Sequence, residues 1–101
     1  MTDKVSLTYI SILKNVYSPP STGVRVTMLA YIRKYTNMTQ TEIAKKIGCS
    51  QAHVNQLLYL SDNALNFELL QIQDKNLSVS GAYRLVKNRV ENDPTSLTQI
   101  P

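Results

Sequence analysis

In 101 residues the chain has one cysteine, three glycines, four prolines, one phenylalanine and no tryptophan. A lone thiol, Cys49, can form neither an internal disulfide nor a metal cage. That scarcity predicts a cytoplasmic chain with no bound metal. No apolar run approaches the roughly 18 residues needed to cross a bilayer, so no membrane partner is expected. The N-terminal stretch MTDKVSLTYISIL lacks a basic region and a small-residue cleavage site, and so predicts no signal peptide. There is no glycine-rich phosphate loop, no paired carboxylates at a plausible site and no Ser-His-Asp set that the sequence singles out. These absences predict that the chain is not an enzyme and takes no cofactor. The missing RNP-like aromatic strand argues against an RNA-recognition fold.

What is present suits one modest globular domain. Hydrophobic residues make up 43%, and no block of like charge interrupts them. The net charge is +4, but residues 1–50 hold seven basic against two acidic side chains, and residues 51–101 hold four against five. A basic half points to a polyanionic partner.

The apolar periodicity predicts an all-α fold of about five helices. Val5, Leu7 and Tyr9 fit a strand, while Val5, Tyr9, Ile12, Leu13 and Val16 fit a helix; helix is preferred. Pro19 and Pro20 interrupt the chain, making Ser18–Gly23 a loop. Val24, Met28, Ile32 and Tyr35 then form one stripe of a helix ending near Asn37. Thr39-Gln40-Thr41-Glu42 is a capping box, with Met38 and Ile43 placed for a hydrophobic staple. The helix it opens runs through Ala44 and Ile47 to Gly48, a suitable residue for a left-handed turn. Ser50 caps the next helix, whose inward positions are Val54, Leu57 and Leu58. Asp62 or Asn63 caps a fourth, with Leu65, Leu69 and Ile72 on one face. Ser78 or Ser80 caps a fifth, with Val79, Ala82, Tyr83, Val86 and Val90 on one side and Pro94 at its end. Residues 1–23 are therefore a helix or a dimerisation arm, 24–92 the domain proper, and 93–101 a flexible tail. Most of the six tyrosines fall on apolar stripes, which predicts core positions for them.

Thr39 to Leu58 is the motif that points to function. Two short helices joined by Gly48-Cys49-Ser50 should cross at roughly 90–120°, the helix-turn-helix geometry. Ala44 lies at the crossing, where only a small side chain fits. Gln40, Ala44, Gly48, Val54 and Leu57 each occupy a diagnostic position of that motif. The second helix then turns Gln51, Ala52, His53, Asn55, Gln56 and Tyr59 outward. Asn and Gln can pair bidentately with adenine, and the Glu and Lys of a merely solvated helix are absent from 50–61. Gln51, Ala52, His53, Asn55 and Gln56 are the expected base readers, with Ala52 suited to a thymine methyl. Thr39, Gln40, Thr41, Lys45, Lys46, Ser50, Tyr59 and Arg84 are the expected contacts to the DNA backbone. Lys87 and Arg89 share the last helix with Arg84, and that cluster equally suits a solvated face. His53 has no second metal-type ligand at a suitable spacing.

The run MTQTEIAKKIGCSQAHVNQLLYL resembles the helix-turn-helix of the ParB/KorB-type plasmid partition and repressor proteins. NALNFELLQIQDKNLSVSGAYRLVK is similar to that family's two following helices, so the resemblance covers about residues 24–88. Residues 1–23 and 92–101 are too few for the family's nucleotide-binding and dimerisation domains. The resemblance therefore implies the DNA reader alone, most simply a plasmid- or phage-borne repressor. A homodimer on an inverted-repeat operator is the expected assembly, through Val5–Tyr17 or the last helix. A partition or replication-control role uses the same reader, and a protein–protein adaptor on this scaffold is a reading of another class.

Overall fold

Strong local stop and start signals divide the chain into short helices that must bury their apolar faces on one another. The computed structural model describes residues 3–15 and 19–92, and these hold six α-helices and no strand. They are α1 (Lys4–Leu13), α2 (Thr22–Tyr35), α3 (Gln40–Ile47), α4 (Gln51–Asn63), α5 (Asn66–Asp74) and α6 (Val79–Asn92). The core joins Ile10 of α1, Val26, Leu29 and Ile32 of α2, and Ile43, Ala44 and Ile47 of α3. Val54, Leu57, Leu58 and Leu60 of α4, Ile72 of α5, and Val79, Ala82 and Val86 of α6 complete it. No helix among the described residues is long and apolar enough to cross a membrane.

The starts follow side-chain chemistry. Asp3, Ser21 and Ser50 each accept a backbone N–H three residues on, and Ser78 does so from Gly81, settling α6 in favour of Ser78 over Ser80. The predicted capping box is complete. Thr39 Oγ1 accepts from the Glu42 N–H at 3.1 Å, and Glu42 Oε1 accepts from the Thr39 N–H at 2.9 Å. Gly48 closes α3 in the left-handed region at φ 77°, with its N–H and that of Cys49 both donating to the Ala44 carbonyl.

Three expectations shift. On α2 the buried face is Thr22, Val26, Leu29 and Ile32, so only Ile32 of the predicted stripe is buried; Val24 and Tyr35 are exposed. Thr22 Oγ1 donates to the Leu77 carbonyl at 2.7 Å, which ties the start of α2 to the loop before α6 and fixes that rotation. On α1 the inward residues are Ser6 and Ile10, with Val5 and Ile12 exposed; Val16 lies outside the described residues, as do Pro94 and the predicted tail. Asp62 and Asn63 do not cap α5. They are the last residues of α4, because Asp62 pairs with Arg33 of α2 (2.6 and 3.1 Å) and the Asn63 amide donates to the Tyr59 carbonyl. The α5 N-cap is exposed Leu65, whose N–H donates to Glu68 Oε1.

The tyrosines also depart from the prediction, since none of the described five is fully buried. Four of them line the rim of the core in edge-on pairs, Tyr9 with Tyr31 at 5.2 Å and Tyr59 with Tyr83 at 5.1 Å between ring centres, and exposed Tyr35 leans on Tyr31. A ring there covers apolar surface while its hydroxyl stays wet.

The α3–α4 corner yields a direct stability prediction. A Cβ on Gly48 would meet nothing within 4 Å, so only the backbone resists substitution there. Gly48→Val is expected to cost about 1–3 kcal/mol, because a β-branched residue is strained at positive φ. Ala44→Leu should cost a similar ~1–3 kcal/mol through overpacking. Thermal melts check both, and an unchanged midpoint in each variant would contradict this picture of the corner.

Candidate nucleic-acid interface

The α3–α4 corner holds the N-terminal half of α4 at the surface. Val54, Leu57, Leu58 and Leu60 anchor the helix inward, and its other side splits along its length. Gln51, Ala52 and Asn55 are exposed, while Gln56 and Tyr59 are half-buried. The narrowing comes from α6, which packs along the C-terminal half of α4 through the Tyr59–Tyr83 pair. The exposed part is thus the first two turns.

Gln51 is held before any ligand arrives. Thr41 Oγ1 of α3 donates to Gln51 Oε1 at 3.1 Å. The Gln51 amide NH2 stays available, and the carbonyl oxygen keeps a second lone pair. This bond also places the N-terminal turn of α3, with Thr39, Gln40 and Thr41, along one flank of the exposed face. Lys45 and Lys46 are exposed in the last turn of the same helix. Glu42 beside them has its carboxyl below the usual range, chiefly because the Thr39 backbone N–H donates to it. Ser50 uses its hydroxyl to cap α4.

The structure does not group His53 with the exposed amides. His53 is half-buried on the opposite flank of α4, in a cleft of about 280 Å³ shared with Lys14, Arg25 and Cys49. Burial lowers its imidazole pKa first, and the charge of Arg25 lowers it further. Burial raises the Cys49 thiol, which favours its neutral form.

The three basic residues of α6 have different fates. Arg89 is bonded to Glu68 and to the Asn63 carbonyl. Arg84 is exposed. Lys87 is no more prominent than its neighbours in sequence, yet its ammonium lies 5.3 Å from the Tyr83 ring centre, next to Tyr59. It brings a cation beside the half-buried C-terminal half of α4. Only the tyrosine pairing could have revealed this, and that pairing is tertiary.

No family model, curated protein or solved structure matches this chain. The ParB/KorB-type resemblance accordingly rests on the two sequence runs alone.

Proposed function

We propose that the chain is a sequence-specific double-stranded DNA-binding protein, acting in the cytoplasm as a repressor of a plasmid or phage promoter. The observation that carries this reading is the exposed N-terminal half of α4. It presents Gln51, Ala52 and Asn55 without a carboxylate, beside a helix start and two lysines. Amides on a protruding helix suit base edges in the major groove. Thr39–Thr41 at the start of α3 and the Lys45–Lys46 pair suit phosphates. The ParB/KorB-type resemblance adds partition or replication control as an alternative use of the same reader.

Three exposed readout residues cover few base pairs, which favours a homodimer on an inverted repeat. Of the two expected dimer surfaces, α6 exposes only polar residues (Ser80, Arg84, Asn88, Glu91 and Asn92), whereas α1 exposes Val5, Leu7 and Ile12.

The test is selection of bound sequences from a random duplex pool, followed by titration across salt concentration. A defined, two-fold-symmetric site with steep salt dependence is expected. The Lys45→Ala/Lys46→Ala double variant should weaken binding to selected and random duplexes alike. Wild-type affinity of that variant for both, at about 0.15 M salt, would rule out the proposed orientation. Loss of all salt-dependent DNA affinity in the wild type would instead favour the adaptor reading.

A further inference from the structure

The cleft on the far flank of α4 has an unusual charge arrangement. Its floor is apolar, from Leu13, Ile47 and Leu57. Its polar lining brings Lys14 from the end of α1, Arg25 from α2 and His53 from α4, with no Asp or Glu among the lining residues. Two other arginines hold carboxylates: Arg33 binds Asp62 and Arg89 binds Glu68. Among the described residues Arg25 pairs with no carboxylate, and its Nε donates to the Pro20 carbonyl at 2.9 Å. Like charges gathered without a counter-charge repel unless an anion joins them.

We propose that Lys14, Arg25 and His53 form a phosphate seat that grips the DNA strand on the opposite side of the groove from the N-terminal turn of α3. This rests on the DNA-binding reading. A helix in the major groove runs between two sugar-phosphate strands, so each flank meets one of them. Thr41 bonds Gln51 and therefore marks the flank on which α3 begins. His53, two residues on, lies roughly 200° around the helix axis from Gln51 at ~100° per residue. His53 is an auxiliary here, gaining a proton as the phosphate arrives; the other groups facing it are Lys14, Arg25 and the Cys49 thiol. The imidazole of the free protein is held below its ordinary value, about 6.5, so affinity should rise as pH falls below that value.

The experiment titrates full-length Lys14→Gln, Arg25→Gln and their double variant against the selected duplex and a random one. Melting curves confirm that each is folded, and Lys14→Gln leaves the Pro20 bond untouched if Arg25→Gln unfolds. The slope of log affinity against log salt should fall by about 0.9 for each phosphate that the variant no longer neutralises. The base preference should be unchanged. His53→Gln should flatten the pH dependence. An unchanged slope, together with a reduced slope in Lys45→Ala/Lys46→Ala, overturns the seat and leaves the DNA reading intact. Absence of salt-dependent binding in the wild type overturns both. A third arm adds inorganic phosphate at millimolar concentration. If it raises the wild-type melting temperature but not that of the double variant, while the salt slopes are equal, the cleft serves a free anion and the strand assignment is wrong.

Discussion

Arg89→Met is expected to destabilise the protein by about 3–5 kcal/mol, the cost of stranding a buried carboxylate. Glu68 is 2% exposed, and the Arg89 guanidinium grips it through Nε to Oε2 at 3.0 Å and Nη2 to Oε1 at 2.9 Å. The same Nη2 donates to the Asn63 carbonyl at 2.7 Å, so one side chain joins the end of α4, the start of α5 and the end of α6. Replacing both partners removes the stranded charge, and the Glu68→Gln/Arg89→Met double variant should recover much of the loss. Gln keeps an oxygen for the Leu65 N–H, which preserves the cap of α5. Acid should act like the single variant. Burial pushes the Glu68 carboxyl up, but the Arg89 and Leu65 hydrogen bonds and the Arg89 charge outweigh it, so its pKa is lowered. A carboxyl lowered by folding stabilises fully above its unfolded value, about 4.3, and that stability fades as pH falls through the lower folded value. Chemical denaturation across pH checks both points. An Arg89→Met variant with wild-type stability, or a wild type whose stability is flat on acidification, would count against this role for the pair.

Gln51→Ala and Asn55→Ala should each erase discrimination at one base pair per half-site. Removing a bidentate amide pairing costs about 1–3 kcal/mol, hence roughly 2–6 kcal/mol over the two half-sites of an inverted repeat. Random-duplex affinity should hardly change, since neither residue carries charge. Lysine variants should behave in the reverse way, losing both affinities together. The measurement is a binding series over all single substitutions in the selected site. If both amide variants keep the full wild-type profile, base reading does not reside in the first turns of α4.

The parts of this chain legible in sequence are those whose causes are local. The Thr39–Glu42 box, Gly48 at positive φ and the Ser50 cap each depend on residues within a few positions, and each forms as predicted. The spacing of Val54, Leu57 and Leu58 suffices to turn Gln51, Ala52 and Asn55 outward. What escaped depends on distant partners. The rotation of α2 is set by Thr22 meeting Leu77, 55 residues away. Asp62 resembles a helix start until Arg33, 29 residues earlier, takes its carboxylate. Glu68 is indistinguishable from a surface charge until Arg89, 21 residues later, folds over it. The cleft holding His53 requires α1, α2, the end of α3 and α4 together, and helical spacing along α4 alone places the imidazole with the amides.

One consequence of how α4 is mounted concerns how such a protein can change over generations. Its anchoring residues are all buried, while Gln51, Ala52 and Asn55 are exposed, Gln51 accepting a hydrogen bond from the Thr41 hydroxyl. Exchanges at these three sites remove no packing and open no cavity, so thermodynamic tolerance there is broad. On the proposed DNA-binding function, target preference can then drift while the scaffold stays constant, and a duplicated copy could acquire a new operator in a few substitutions. At Tyr59, half-buried against Tyr83, a new target would come at the expense of the fold.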